Sequence, residues 1–260
     1  MKERLDLLLV ERRLVESRTK AQWLIKNGFV LVNKEEILKP GKKIDNTSNI
    51  QLKAEFPYVG RGGLKLEAAL KDFNIDVKDK VCADLGVSIG GFTDCLIKHG
   101  AKKVYAIDIA EDLLHPSLRC EKMESRVIPL LGIDVRELKS LDERVDIATM
   151  DITFASLRAI LPNVKNFLKE NGDIITLVKP LFETDFYEET KFKVIKEREK
   201  LKNILSDLII WSKRIELYPH GIIKAPILGK GGAIEFFINF KTKSVAYKYD
   251  YKEEIEKLLN

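Results

Sequence analysis

The chain has 260 residues and a formal charge of +5, from 45 Lys and Arg against 40 Asp and Glu. This length accommodates one catalytic domain and a small accessory module, and a hydrophobic content of 45% excludes an extensively disordered chain. No apolar stretch approaches the roughly 18 residues of a membrane helix, so we expect a cytoplasmic protein that does not contact a membrane. The three cysteines and three histidines are scattered, which predicts no metal site.

The first fifty residues predict a helix pair followed by strands. Leu5, Leu8 and Leu9 are spaced for one face of a helix. Ser17 suits the N-cap of a second helix, and Gly28 suits the left-handed position just past its end. The predicted elements are a helix over 4–13, a helix between Ser17 and Gly28, a strand over 29–32, a turn at Asn33–Lys34, a basic loop over 39–43 and a strand near 50–52.

This order of elements carries a family resemblance. The segments Arg4-Leu5-Asp6, Ser17-Arg18 and Gly28–Asn33 resemble the S4 domain, a small α+β RNA-binding module. We assign residues 1–56 to it and residues 57–63, which contain three glycines, to a linker. In such a module Lys and Arg meet RNA phosphates, although the charge alone also fits an ordinary solvated face. The resemblance implies RNA contacts at Arg4, Arg18, Lys20 and Lys26, to which we add Arg61 of the linker.

A glycine-rich turn predicts a site for a nucleotide-like ligand. It spans Asp84–Gly91, between a strand predicted over 81–83 and a helix predicted over 92–99. Glycines let the backbone approach a ligand at the carboxyl end of a strand. Gly86 and Gly91 have the spacing of a phosphate loop, but the lysine of such a loop is missing, and the turn does not match the dinucleotide pattern GxGxxG.

Two carboxylates further along fit the same ligand. A strand predicted over 104–107 ends at Asp108, on the order of 20 residues past the turn, where a Rossmann unit places the carboxylate that binds ribose hydroxyls. A short strand at 127–128 precedes Asp134, which is placed to contact an adenine amino group. The alternative for each carboxylate is a helix N-cap or an ordinary loop charge.

The later strands bring further charges to the same edge of the sheet. Strands predicted over 145–150 and 173–178 end at Asp151 and Lys179, and ligands bind at the carboxyl ends of strands in an open α/β sheet. Glu235 interrupts the apolar run of a strand predicted over 234–238. A buried carboxylate is costly unless it is paired, so we expect a lysine partner for Glu235.

Five ordered motifs resemble the TlyA family, which joins an S4 domain to an FtsJ-like ribose 2′-O-methyltransferase domain. The motifs are Tyr58–Leu66, Asp84–Gly86 with Gly90–Asp94, Asp151–Leu157, Val178–Glu183, and Ala225–Ile227 with Gly231–Glu235. The resemblance implies an α/β, Rossmann-like domain over residues 64–260 with helices on both faces of its sheet. It also implies S-adenosylmethionine as cofactor and ribosomal RNA or ribosomal subunits, with cytidine as the modified nucleotide, as partner.

The resemblance also implies the functional residues. The catalytic tetrad falls on Lys65, Asp151, Lys179 and Glu235, with Lys65 in the first turn of a helix predicted from Leu64. The implied cofactor-binding residues are Asp84, Gly86, Ser88, Gly90, Gly91, Phe92, Asp108, Ile109, Asp134, Val135 and Asp151.

The tetrad suits the chemistry of a ribose hydroxyl, which must lose its proton as it attacks a methyl group. Lys179 either accepts that proton or steers the hydroxyl electrostatically, and both roles stay open. A free lysine is protonated at neutral pH, so a role as base requires burial or a neighbouring cation such as Lys65.

Two alternative functions accompany this interpretation. The family is also labelled hemolysin, which suggests a membrane-active protein. Val87 and Ile89 replace small or hydroxylated residues in the cofactor turn, which suggests a catalytically silent RNA-binding or ribosome assembly factor. The charged segment over residues 184–213 is predicted to be partly helical and to form a lid or an RNA-facing insertion, or simply a solvated helix.

Overall fold

Two short helices and two small antiparallel sheets form the first of two compact units. The computed structural model describes residues 2–153, 155–184, 194–243 and 250–260, and the chain divides into Met1–Arg61 and Gly62–Asn260. In the first unit the sheets have the strand orders β1-β4 and β3-β2-β5. Its elements are β1 (Lys2–Arg4), α1 (Leu5–Glu11), α2 (Arg18–Lys26), β2 (Val30–Val32), β3 (Glu35–Glu36), β4 (Lys43–Asp45) and β5 (Ile50–Leu52).

Local signals in the sequence explain where these elements begin and end. The Ser17 hydroxyl accepts a hydrogen bond from Lys20 N at 3.3 Å, so it caps α2 as predicted. Gly28 follows α2 with a φ of +75°. Asn33 and Lys34 have φ values of +50° and +72°, and they close the two-residue hairpin between β2 and β3. The predicted cap, stop and turn are confirmed.

The core of the first unit lies between the helix pair and the strands. Leu5, Leu9, Leu24 and Ile25 are fully buried there. Burying a side chain of this size contributes about 1.5–3 kcal/mol, so these residues hold α1 and α2 together.

A seven-stranded sheet forms the second unit. Its strand order is β11-β12-β10-β9-β6-β7-β8, in which β6 to β10 are parallel and β12 is antiparallel to both of its neighbours. The elements are α3 (Arg61–Asp72, starting at the unit boundary), β6 (Val81–Leu85), α4 (Gly91–Lys98), β7 (Lys103–Asp108), β8 (Val127–Leu131), β9 (Val145–Met150), α5 (Leu161–Val164), β10 (Leu168–Val178), α6 (Arg198–Arg214), β11 (Tyr218–Lys224), β12 (Phe236–Lys241) and α7 (Tyr251–Leu259).

The strand order places the ligand-binding crevice between β6 and β9. The chain proceeds from β6 outward to β7 and β8, and then returns to the other side of β6 as β9. Ligands bind at such a reversal, outside the carboxyl ends of the strands. All five residues of β6 are buried, as expected for a central parallel strand covered on both faces. The predicted α/β fold is confirmed.

Antiparallel β12 contributes its beginning, not its end, to this same edge. Val178 pairs with Phe236 in register, so Lys179 and Glu235 are the next residues in that register. The prediction that Glu235 lies inside the strand is wrong by one residue, because β12 begins at Phe236. Its carbonyl oxygen still accepts a hydrogen bond from Ala225 N at 2.9 Å.

Two other predicted elements differ from the structure. Helix α3 begins at Arg61 rather than Leu64, because Gly62 and Gly63 lie in its first turn and admit Phe92 and the backbone of Gly91. The lid interpretation of residues 184–213 is wrong for α6, which buries the helically spaced Leu201, Leu205, Leu208 and Ile209 in the core. Within the same predicted range, 185–193 lie outside the described residues.

Candidate active site

The glycine-rich turn after β6 lies against the residue that follows β9. Gly86 has a φ of +83°, which glycine adopts without steric cost. A Cβ at this position would lie 2.8 Å from the backbone O of Asp151. Asp151 N in turn donates to Leu85 O at 3.1 Å. The missing side chain therefore allows the ends of β6 and β9 to meet at the crevice.

The second half of the turn begins α4. Gly90 has a φ of +94° at the N-cap, and Gly91 starts the helix. Phe92 is buried, with its ring centroid 6.0 Å from that of Phe237. The ring of Phe92 thus anchors the helix in the core, and the cofactor contact that the resemblance implies for this residue stays a prediction. Val135 is buried in the same way.

Asp84, at the end of β6, ties three elements together. It is fully buried, and its two carboxylate oxygens accept hydrogen bonds from the hydroxyls of Thr93 at 2.7 Å and Thr149 at 3.0 Å. These residues belong to α4 and β9. Instead of presenting an open ligand-binding carboxylate, Asp84 supports the turn from within. Burial raises the pKa of Asp84 to about 7, although both hydrogen bonds favour the ionised form.

This raised pKa predicts a pH-dependent stability. Between the unfolded value of 3.8 and about 7, the folded protein binds the Asp84 proton and the unfolded chain does not, so stability falls as pH rises through this window. We expect Asp84→Asn to remove about 4 kcal/mol of this pH dependence, at about 1.4 kcal/mol per pKa unit. Urea unfolding of both proteins from pH 4 to 8 measures it. Parallel stability curves for the two proteins would contradict the assignment.

Asp108, at the end of β7, lies beside the turn. Its Oδ2 accepts from Ser88 N at 2.7 Å and its Oδ1 from Ala110 N at 2.9 Å. An ionised carboxylate has about four acceptor positions, so these two bonds orient it and leave capacity for ribose hydroxyls. Ile109, the next residue, is 67% exposed, which is high for a large apolar side chain.

Asp134 is held by a neighbour. Arg136 donates to both of its oxygens, with two Nε contacts at 3.0 Å, and a backbone bond from Arg136 N at 2.9 Å completes the loop. The Arg136 guanidinium lowers the pKa of Asp134. Asp134 is therefore an ionised, partly exposed acceptor at the loop after β8.

Asp151 and Lys179 form an ion pair at the ends of β9 and β10. Lys179 Nζ lies 2.5 Å from Asp151 Oδ1, with the two side chains 16% and 28% exposed. Lys179 Nζ donates to Thr153 Oγ1 at 2.7 Å. The ammonium group is thus held at the open edge by an anion and a hydroxyl.

Lys65 and Glu235 form a second ion pair, more deeply buried than the first. Lys65 Nζ donates to Glu235 Oε2 at 2.5 Å, and the side chains are only 10% and 6% exposed. The lysine partner expected for Glu235 is confirmed. Lys179 and Glu235 are both one residue beyond the Val178–Phe236 pair of the strand register. The two ion pairs therefore lie at the same edge of the sheet. The structure brings all four tetrad residues of the second unit together.

Glu183 is a site-supporting residue to which sequence reasoning gave no role. It lies in the short helix after β10, and its carboxylate accepts from Ser156 Oγ at 2.7 Å and Leu157 N at 2.8 Å. The bonds join the loop that carries Lys179 to the loop that carries Asp151. Burial raises the pKa of Glu183. Its position in the Val178–Glu183 motif was the only signal in the sequence.

The predicted RNA contacts differ in exposure. Arg18 and Lys26 are exposed on α2, and Arg61 is exposed at the start of α3. Lys20 is less available, because it is 13% exposed, pairs with Glu16 and lies over the ring of Phe56. Within the described part of the chain, no helix is long and apolar enough to span a membrane, and no group of three or more His, Cys, Asp or Glu side chains is arranged for a metal ion.

The fold and the turn define the class of protein. The sheet is mostly parallel with a reversed last strand, and the turn at its switch point has neither the lysine of an NTPase phosphate loop nor the GxGxxG pattern of dinucleotide-binding enzymes. These features fit a Rossmann-like methyltransferase. The chain belongs to the FtsJ-like methyltransferase family, which matches residues 58–242, and carries an S4 domain over residues 3–48. The resemblance to the TlyA family is confirmed.

The most informative relatives cover most of the chain. It is 39% identical to the putative rRNA methyltransferase YqxC of Bacillus subtilis, over 92% of this chain and 85% of that protein. It is 31% identical to the 16S/23S rRNA (cytidine-2′-O)-methyltransferase TlyA of Mycobacterium tuberculosis, over 93% of this chain and 90% of that protein. The solved structure of a putative hemolysin from Streptococcus thermophilus matches with a TM-score of 0.72 and 33% identity, over 99% of this chain and 94% of that chain.

Proposed function

We propose that this protein methylates ribose 2′-hydroxyls, on cytidine, in ribosomal RNA. The observation that carries the proposal is the pairing of Lys179 with Asp151, beside Lys65 and Glu235, at the edge where the glycine-rich turn lies. The activity for which the TlyA relative is named supports cytidine in ribosomal RNA as the substrate. A ribosomal substrate is consistent with the cytoplasmic location expected from the sequence.

The residues of the crevice fit S-adenosylmethionine as methyl donor. This cofactor has a ribose, an adenine and a cationic sulfonium but no phosphate, which suits a site rich in carboxylates and without a phosphate-binding lysine. Asp108 is oriented to accept from the ribose hydroxyls, and the exposed Ile109 offers apolar surface to the adenine. Asp134 is the acceptor for the adenine amino group, and Gly86 permits the close approach of the backbone.

The tetrad acts on the substrate hydroxyl. When bound, the cofactor supplies a methyl group activated by its sulfonium. Lys179 Nζ lies against the Asp151 carboxylate and donates to Thr153, an arrangement that favours the orienting role over the role of base. Its charge steers the 2′-oxygen and stabilises the negative charge that develops on it, and the hydroxyl proton leaves to solvent water at the open edge as the methyl group is transferred. Lys65 and Glu235 neutralise each other, and this buried ion pair supports the edge of the sheet at which Lys179 lies.

Transfer of labelled methyl from S-adenosylmethionine to purified, unmethylated small and large ribosomal subunits tests the function. We expect incorporation into ribosomal RNA, resistant to alkaline cleavage at a cytidine because its 2′-oxygen carries the methyl group. Label in protein, label on a base, or no label on either subunit would contradict the proposal.

The chain contains a matched control for this assay. Lys241 and Asp173 form an ion pair at 3.1 Å on β12 and β10, the same two strands that carry Glu235 and Lys179, but at the opposite edge of the sheet. Removing this pair with Asp173→Asn and Lys241→Ala changes the same strands without reaching the crevice. Methyl transfer by the control should stay within about twofold of wild type, because both residues lie at the strand ends away from the crevice.

A further inference from the structure

Asp6 is the only acidic residue of the first unit that is fully buried among those the structure describes. It lies in the first turn of α1, and its backbone N donates to Pro40 O at 3.1 Å. An ionised carboxylate buried without partners is costly, so its contacts decide what it does.

The partners of Asp6 come from the beginnings of both helices. Arg4, which precedes α1, donates to both oxygens through Nε and an Nη, each at 2.9 Å. Arg18, the first residue of α2, donates through Nε at 2.8 Å, and Gln22, one helical turn later, donates at 2.8 Å. The Arg4 guanidinium holds the pKa of Asp6 well below its usual range, with help from Gln22 and Arg18 and against the effect of burial.

Both guanidinium groups remain accessible although their anchor is buried. The side chains of Arg4 and Arg18 are 40% and 52% exposed, whereas that of Asp6 is 0% exposed. A guanidinium has five N–H groups. The described hydrogen bonds to Asp6 use two of them in Arg4 and one in Arg18, so three donors of Arg4 and four of Arg18 are not used by the anchor.

The turn before β4 also fixes Arg4. A Cβ at Gly41 would lie 3.0 Å from an Nη of Arg4, so glycine lets this turn lie close to the guanidinium group without displacing it. Arg4 is thus hydrogen-bonded to Asp6 on one side and lies close to the turn at Gly41 on the other. A side chain that is held before it binds has less conformational entropy to lose on binding, which favours the complex.

We propose that Asp6 is a positioning residue for RNA recognition, which holds Arg4 and Arg18 as one paired clamp for RNA phosphate groups. Arginine suits this arrangement because its Nε can be tethered while its Nη groups still bind a phosphate in a fork. The inference rests on the proposed function, since it takes ribosomal RNA as the ligand of the first unit. The proposal gives the Asp6 carboxylate a role that favours RNA binding, although its negative charge by itself repels RNA phosphates.

The variant Asp6→Asn distinguishes the positioning role from a simple effect of net charge, because the two predict opposite changes in affinity for RNA. The variant removes one negative charge, so the net charge rises by one, and it keeps the volume and one acceptor oxygen of the side chain. Bulk electrostatics predicts tighter binding to ribosomal RNA and a steeper dependence on salt. Positioning predicts binding weaker by about tenfold, from two side chains that are no longer held. It also predicts a shallower salt dependence, with the slope reduced by roughly one unit for each phosphate that the protein no longer neutralises.

The experiment measures the affinity of the full-length protein for ribosomal RNA by filter binding over a range of salt concentrations. Glu11→Gln is the matched control, since it adds the same charge on the same helix at an exposed position. We expect the control to bind as wild type or slightly more tightly. Under methylation conditions, Asp6→Asn should raise KM for the ribosomal substrate and leave kcat and cofactor affinity within about twofold of wild type, because binding rather than chemistry is changed.

Arg18→Lys covers the case in which Asp6→Asn fails to fold. It keeps the charge at an exposed position but loses the tethered fork, so it should weaken binding several-fold. The inference is overturned if the folded Asp6→Asn, or in its place Arg18→Lys, binds as tightly as wild type. If the wild-type protein itself does not bind ribosomal RNA, the proposed function fails first, and that result is distinct from the loss of only the positioning effect.

Discussion

Replacing Lys179 with alanine is expected to lower kcat for methyl transfer by about 10²- to 10⁴-fold, the range for a group that acts on the proton or the developing charge of the reacting atom. Affinity for S-adenosylmethionine should stay within about twofold, because the described polar contacts of Lys179 are with Asp151 and Thr153, and none is with Asp108 or Asp134, which fit the ribose and the adenine. Single-turnover methylation and calorimetry with the cofactor measure the two quantities separately. Substantial residual turnover by Lys179→Ala would exclude a catalytic role for Lys179.

Lys179→Arg distinguishes the two roles that the sequence left open. Arginine remains protonated under all these conditions, so it can orient a hydroxyl but cannot accept its proton. If Lys179 acts as a charged guide, the arginine variant should be about tenfold more active than the alanine variant. Equal loss in both variants would favour the role of base. The Lys241→Ala protein serves as control for a lysine removed from the opposite edge of the same sheet.

Removing Lys65 is expected to destabilise the second unit by about 3–5 kcal/mol. Lys65→Ala leaves the carboxylate of Glu235 buried without its counter-ion, and an uncompensated buried charge costs about this much. At roughly 2–4 °C per kcal/mol for a unit of this size, Tm should fall by about 6 °C or more. Glu235→Ala should have a comparable effect, because it leaves Lys65 buried without its counter-ion.

The double variant Lys65→Met/Glu235→Leu distinguishes stability from function. Replacing both charges with apolar groups of similar volume removes the uncompensated charge, so stability should return to near that of wild type or exceed it. Methyl transfer should remain impaired, since Lys179 keeps Asp151 but loses the charges of Lys65 and Glu235 at the same edge of the sheet. Recovery of full activity together with stability would show that the pair serves only the fold.

Much of the local structure follows from short-range chemistry. Ser17, Gly28 and the pair Asn33–Lys34 define the ends of α2 and the hairpin, because an N-cap and left-handed backbone positions depend on the residues at those places. The apolar runs before Asp108 and Asp151 indicate buried strands, and their order indicates an open α/β sheet. The start of α3 was misplaced because glycines usually mark loops, and here they serve close packing.

The sequence by itself determined the two-part organisation, the kind of sheet and the residue types of the site, since these depend on composition, periodicity and the order of motifs along the chain. Only the tertiary structure decided which charge meets which. Lys65 and Glu235 are 170 positions apart, and they meet because antiparallel β12 begins at the edge where β10 ends. It also decided that Asp84 and Phe92 support the crevice from within, and that Asp6 anchors two exposed arginines. Burial and pairing depend on contacts between distant segments, which no local pattern records.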